Sequence, residues 1–334
     1  MKRLNAVPGN IFEEYYQINE AILDSFPKYR PPLDLFVFKE DIAILQTLAR
    51  KGERLTNEQV DRIHELCSEG DLFVSRADHA VYSKHIIKQL DLILVDPNLK
   101  EGEICDICIM ALEHRLSAFF EQPVKGAFDP LHDDLLVVTE YLWNDPHRLK
   151  LFMRRLHRGD HNLAMHSINV MIIGLWLFAL PKNDDMQRKR FDQAALALLL
   201  HDMGMIKVPV FITSKTAPLK REEREKILPH TVLGYKIADK LDLTFPFMNQ
   251  AILEHHERLD GSGYPQKSKQ ISRFGLLTAV ADAFSSMLQK RPYADAKTPL
   301  QAARELSDEK SRFDINLSSK LLAAYAASVF GKPV

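Results

Sequence analysis

Cysteine is scarce in this chain, with three among 334 residues. Three thiols cannot build a disulfide framework, and the count fits a reducing compartment. A surplus of one charge is also missing. Lys and Arg number 44 against 45 Asp and Glu, a formal net charge of -1. That balance excludes a globally basic binder of nucleic-acid polymers or of a membrane surface. No repeat or low-complexity tract is present. Lys2 and Arg3 are not followed by an apolar signal-peptide stretch, so none is expected. One apolar run, Leu163 to Leu180, approaches the ~20 residues that cross a bilayer. His166, Ser167 and Asn169 interrupt it toward one end. It reads as a buried core helix whose ionisable residue needs a partner or a ligand. The expected location is the cytoplasm, with no membrane contact.

What is present is an ordinary globular composition, 46% hydrophobic and 27% charged. At roughly 150 residues per domain, the length suggests two domains. Residues 1–30 read as helical, and the proline-rich run Pro27 to Pro32 stops them. Leu33 to Phe38 and Leu72 to Ser75 read as strands. Between them Thr56 and Gly70 are the expected caps of a helix. Residues 79–95 and 100–120 carry amphipathic helical patterns, and Gln122 to Pro130 reads as a boundary. From about residue 130, helix follows helix, with loops expected at 181–185, 206–220, 259–272 and 290–297. The stretch from Arg221 to Leu241 reads as one helix. The expected fold is an α-rich two-domain protein. A small mixed α+β N-terminal domain (1–125), whose input no motif reveals, precedes an all-α domain (126–334).

The 13 histidines are the informative residues. Six follow residue 160, and five of these fall into suggestive places. His166 lies on the apolar helix. His201 and Asp202 close the apolar run LALLLHD. His230 enters another helix, His255 and His256 end ILEHH, and Asp282 interrupts LLTAVADAF. Imidazoles and carboxylates in apolar settings need partners, and a metal ion provides one. Neighbouring helical residues point ~100° apart. Tandem His201–Asp202 and His255–His256 can therefore serve one metal from two directions, or two neighbouring metals. Five imidazoles and two carboxylates exceed one tetrahedral zinc and suit two octahedral ions sharing a carboxylate. Such donors accept Fe, Mn, Co, Ni or Zn.

The strings HHERLDGSGYP (His255 to Pro265) and LLLHDMGMIKVP (Leu198 to Pro209) carry a resemblance. Together with His166-Ser167, His230 with Gly234, the Lys215 loop, VADAF and Arg291-Pro292-Tyr293, they resemble the HD-GYP family over roughly residues 130–334. This HD-domain group hydrolyses the bacterial second messenger cyclic di-GMP with bound metals. The resemblance implies two divalent transition-metal ions, Fe or Mn foremost. One would take His166, His201, Asp202 and Asp282. The other would take Asp202, His230, His255 and His256, with Asp202 bridging and His201 and Asp202 central to catalysis. It implies substrate contacts from Arg291, Lys215, Lys207, Gly263 and Tyr264. The glycine-rich loop would bring backbone close to the ligand, with Arg258 and Asp260 fixing that loop by pairing. It also leaves GGDEF-domain proteins as partners and a homodimer as an assembly.

Four positions depart from the family pattern. Met205 replaces the usual Lys after the HD pair, with Lys207 two residues on. Ala294 stands where a second basic residue often follows Arg291. Asn162 stands where some members carry a third-metal Glu, so two ions are expected. Ser285 replaces a common Asp. These departures keep the metal ligands and thin the phosphate-holding cations. They leave open a weak or purely sensing module, or a phosphodiesterase for another cyclic dinucleotide. Cys105 and Cys108 form a CxxC on an amphipathic helix, expected to be core packing. His79 and His85 read as surface or half-buried.

Overall fold

The computed structural model describes residues 11–18, 20–39, 44–78, 81–82, 90–94, 99–156, 162–180, 187–215, 217–290 and 295–330. His79, His85, Arg291, Ala294 and the loop expected at 181–185 lie outside these residues. Two compact units emerge, Met1–Ala111 and Leu112–Val334.

In the first unit, four short antiparallel strands form one sheet: β1 (Tyr15–Gln17), β2 (Leu35–Lys39), β3 (Ile44–Ala49) and β4 (Leu72–Ser75), in the order β1-β4-β2-β3. β4 is the expected strand and is central, pairing Val74 with Tyr16 and Phe73 with Phe36. β1 corrects the helical reading of residues 1–30. Helices α1 (Ile11–Glu14) and α2 (Glu20–Asp24) flank it, and the two aromatics Tyr15 and Tyr16 favour the pleated conformation. β3 was not anticipated, because as an edge strand it buries only Ala49 and carries no alternating pattern.

Helix α3 (Asn57–Glu69) starts and stops where its caps indicate. Thr56 and Gln59 form a reciprocal capping box, and Gly70 takes the left-handed conformation at φ 82°. α4 (Leu90–Ile93) follows. α5 (Glu101–Glu121) buries Cys105 and Cys108 completely, in line with a packing role. Glu103 on α5 is held within this unit. It accepts from the Tyr16 hydroxyl at 2.7 Å, from the Lys100 backbone N–H at 2.8 Å and from both sides of the Arg76 fork.

The second unit is helical. After the segment at 122–124 come α6 (Lys125–Asn144), α7 (Arg148–Met153), α8 (Leu163–Ala179) and α9 (Arg188–Leu200). A 3-10 turn (Met203–Lys207), α10 (Val210–Thr213), α11 (Arg221–Ile227), α12 (His230–Lys240) and α13 (Pro246–Glu254) follow. α14 (Arg273–Met287), α15 (Pro299–Asp308) and α16 (Ile315–Ala326) complete it. α6 runs through Pro130, inside the stretch that reads as a boundary. The single helix expected over 221–241 is two, because Pro229 lacks an N–H and its ring breaks the ladder between α11 and α12.

α8 is the centre of this unit, with every residue from Ala164 to Leu177 buried. It packs against α9 and α14, and α13 touches both of those. α8 and α9 approach closely at Gly174, where an added Cβ would lie 2.6 Å from the Leu198 side chain. Among the described residues, no helix is long and apolar enough to cross a membrane.

Candidate metal centre

Helix ends converge on one buried cluster. His166 sits in the first turn of α8, which Asn162 caps by accepting from the Met165 N–H. The Asn162 amide also donates to Glu113. His201 ends α9 and Asp202 opens the 3-10 turn. His230 is the first residue of α12, and His255 and His256 follow the last turn of α13. Asp282 projects from the middle of α14. All seven ligands expected from the sequence thus meet, drawn from five helices.

Two triads are geometrically fit for a metal. In each, one donor atom per residue lies within 4.8 Å of the others: His166, His201 and Asp202 in one, and His230, His255 and His256 in the other. The carboxylates join them. Asp202 Oδ1 lies 3.2 Å from His230 Nε2 and 3.8 Å from His255 Nε2. Asp282 places Oδ1 at 3.1 Å from His166 Nε2 and Oδ2 at 3.8 Å from His256 Nδ1.

The hydrogen bonds around the rings decide which nitrogen faces inward. The Nδ1 atoms of His201, His230 and His255 lie 2.8 Å from the carbonyls of Leu198, Ile227 and Ala251. A carbonyl only accepts, so each Nδ1 carries the proton and each Nε2 presents a lone pair. His230 Nε2 and His255 Nε2 then face each other at 3.2 Å. His201 Nε2 and Asp202 Oδ1 are buried with no hydrogen-bond partner among the described residues. Lone pairs converging without a proton between them are costly unless a cation takes them. Imidazole and carboxylate donors without thiolate fit a divalent transition metal.

The electrostatics agree. Burial pushes the His201 and His255 imidazoles below their ordinary value, and the neighbouring imidazoles reinforce this. Burial brings His256 down to about 3. Burial alone would raise the Asp282 carboxyl. The His166 hydrogen bond and the nearby imidazoles outweigh it and hold Asp282 well below the usual range. Neutral rings and ionised carboxylates are the forms that bind metals.

The GYP loop supports the cluster from outside. An added Cβ at Gly263 would lie 2.4 Å from the His256 carbonyl, so only glycine fits. The close approach there is to the chain's own backbone, where a ligand was expected. Tyr264 stacks on His256 with centroids 4.6 Å apart. Arg258 donates to the carbonyls of His255 and Glu257 and lies over Phe313, and Asp260 accepts from the Ser262 N–H. These two residues fix the loop through backbone and ring contacts, not through a mutual ion pair. Sequence reasoning missed Glu257, whose buried carboxylate accepts the N–H groups of Gln266 and Ser268. Its position after the tandem histidines was the available signal.

The expected phosphate holders are placed less tellingly. Lys207 is exposed on the 3-10 turn. Lys215 donates to both carboxylate oxygens of Glu223, at 2.6 and 2.7 Å. Gly204 leaves no room for a side chain, since a Cβ would lie 1.8 Å from the His230 carbonyl. That contact seats the 3-10 turn on α12 and brings Asp202 beside His230.

Residues 159–317 match the family model described as an HD domain. A cyclic di-GMP phosphodiesterase of Thermotoga maritima is 38% identical over 136 residues, 40% of this chain and 35% of that protein. A cyclic di-GMP phosphodiesterase of Pseudomonas aeruginosa is 28% identical over 212 residues, 62% of this chain and 50% of that protein. A 3'3'-cGAMP-specific phosphodiesterase of Vibrio cholerae is 34% identical over 127 residues, 37% of this chain and 24% of its own length. The chain therefore spans half or less of these relatives. An HDG"Y"P protein from Bdellovibrio bacteriovorus shares the fold with a TM-score of 0.60 at 16% identity, covering 93% of this chain and 99% of that one.

Proposed function

We propose that this chain hydrolyses the phosphodiester bond of a cyclic dinucleotide, cyclic di-GMP first, since residues 159–317 match the model of the HD domain, a group that depends on divalent metals. The observation that carries this is the pair of triads with inward lone pairs, joined by Asp202 and Asp282. In this reading, His166, His201, Asp202 and Asp282 hold one ion. Asp202, His230, His255 and His256 hold the second, with Fe or Mn favoured. Held by these residues, two dications would supply an activated water and positive charge for the developing phosphoryl oxyanion. The chain's own work is positional. Carbonyl-anchored imidazoles keep their lone pairs turned inward, and the Asp202 carboxylate is held between the triads. The Gly263–Tyr264 segment packs against His256 and limits its motion.

The relatives named as cyclic dinucleotide phosphodiesterases support the substrate class. Residues 1–125 serve as a regulatory domain and 126–334 as the hydrolase, located in the cytoplasm, with GGDEF-domain partners and a homodimer as the assemblies to test. The test is anaerobic purification, elemental analysis, and incubation with cyclic di-GMP and 3'3'-cGAMP, followed by chromatography of the products. Two ions and a linear product are expected. Two ions with no product across Fe, Mn, Ni and Zn would overturn hydrolysis.

A second reading, a slow or sensing module, is favoured by Met205 and by the Lys215–Glu223 pair, which engages a cation expected to hold phosphate. Met205→Lys decides between the two. It is expected to tighten substrate binding about ten- to a hundredfold by adding a charged hydrogen bond. Unchanged affinity in a calorimetric titration would remove the thinned-cation argument.

A further inference from the structure

β3 (Ile44–Ala49) forms one margin of the sheet in the first unit. In an antiparallel ladder every second residue turns its N–H and C=O away from the neighbouring strand. Among the described residues, the backbone of Ile44 to Ala49 makes no hydrogen bond outside the β2 ladder. Sheet edges are commonly guarded by Lys, Pro or another charge, and the run ILQTLA has none of these. Its one irregularity is Leu48, an extra residue between the pairs Phe36–Thr47 and Leu35–Ala49, which leaves Ile44 to Thr47 in regular register. Cross-strand partners share a face. Ile44 pairs with Lys39 and Ala49 with Leu35, and these two β2 residues stand four apart, on one face. Ala49 and Leu48 line a groove against α3 with Leu55 and Ile63. Ile44 therefore lies on the face that carries the groove, at the other end of the strand, and it is 52% exposed.

We infer that this edge is an interface between two copies of the chain, which pair their β3 strands antiparallel about a twofold axis into one continuous sheet. The homodimer named above gains a specific surface in this way, and the pairing needs no metal. Such an axis sets the start of each strand beside the end of the other and keeps both α3 helices on one face. Each Ile44 then meets the other copy's groove, where Leu48, Leu55 and Ile63 offer apolar neighbours. The charges agree with the same arrangement. In sequence, β3 is preceded by Glu40 and Asp41 and followed by Arg50 and Lys51. The acidic approach of one copy therefore faces the basic exit of the other, and the symmetry repeats that contact. A parallel pairing in register would set like charges together instead. One strand carries both halves of the complementary pattern, so a second copy supplies what an unrelated peptide would have to match.

The experiment is analytical ultracentrifugation of the full chain over a concentration series at low ionic strength, where surface charge is least screened. Wild type is expected to dimerise. Ile44→Lys removes the apolar contact and guards the edge, and should weaken the dimer by about tenfold or more. Two further variants exchange charge. Arg50→Glu with Lys51→Glu makes both ends of β3 acidic, and Glu40→Lys with Asp41→Lys makes both basic. Each alone is expected to stay monomeric, and their equimolar mixture to form a heterodimer. Slow thiol labelling of the buried Cys67, Cys105 and Cys108 shows that the first unit is folded in each variant. Should Ile44→Lys fail to fold, the charge-exchanged pair carries the test. A monomeric wild type, an Ile44→Lys chain that dimerises as wild type does, or a mixture no more associated than its components overturns the interface.

Discussion

Among the described residues, each unit holds a cluster of ionisable side chains, half-buried around Glu103 in the first and buried in the second, and the two differ in how they are satisfied. In the first unit Glu103 is surrounded by donors, with Tyr16, Arg76 and the Lys100 N–H all on its carboxylate. Arg76 also lies 4.2 Å from the Tyr16 ring centroid. In the second unit buried acceptors lie together without a donor between them. His201 Nε2 and Asp202 Oδ1 have no hydrogen-bond partner among the described residues, and two Nε2 atoms face each other. In the first group the carboxylate is satisfied by donors of its own unit. The second leaves acceptors unpartnered among the described residues, a balance that a bound cation would close. Burial and charge alone do not separate a functional cluster from a structural one; the donor-to-acceptor balance does.

The sharpest break in this contrast is Asp202→Ala, which removes the carboxylate shared by both triads. It should reduce metal content below one ion per chain and turnover by about a hundred- to a thousandfold. Elemental analysis with product chromatography checks both, and full loading in the variant would refute the shared role. The matching change in the first unit is Glu103→Gln. It should cost about 1.5–3 kcal/mol of that unit's stability and leave metal content untouched. The three cysteines, Cys67, Cys105 and Cys108, are all buried in the first unit, so the rate of thiol labelling reads its opening. Metal loss in this variant would mean that the two clusters are coupled.

Acid sharpens the comparison with the smallest effect. His201, His255 and His256 titrate below their ordinary 6.5 in the folded chain. Below that pH the unfolded state binds more protons, so the stability these rings contribute is complete above 6.5 and declines as pH falls. Glu103 is held below its ordinary 4.5. Burial opposes this, but the Arg76, Lys100 and Tyr16 contacts prevail. Its contribution is complete above 4.5 and is lost as pH falls further. In metal-free protein, tryptophan fluorescence of the second unit should therefore register acid destabilisation at a higher pH than thiol labelling of the first. Loading with metal should move the fluorescence transition to lower pH. Coincident onsets in metal-free protein would contradict this.

Much of this was legible in residue order. The caps Thr56 and Gly70, the strand Leu72–Ser75 and the apolar helix from Leu163 all carry local physical signals, and the structure reproduces them. The seven positions that meet in the cluster were legible because imidazoles and carboxylates stand out against apolar helices. What escaped depends on distant partners or on edges. β1 lies inside a helical pattern, and β3 is an exposed edge. The expected helix over 221–241 divides at Pro229, a breaker visible in the sequence but outweighed by the flanking periodicity. The contact between His166 and Ser285 cannot be read without the packing of α8 on α14. Gly263 was rightly singled out for close approach, but its neighbour is the chain itself.

The carbonyls that aim His201, His230 and His255 sit three or four residues upstream, at Leu198, Ile227 and Ala251. Orientation set within a single turn exists as soon as that turn does, on a timescale of about a microsecond or less. Those three rings take their orientation from contacts local in sequence, which need no distant partner. The contact between His166 and the Ser285 hydroxyl spans 119 residues and forms only when α8 and α14 meet. During folding, then, the local contacts of His201, His230 and His255 precede the long-range contact of His166.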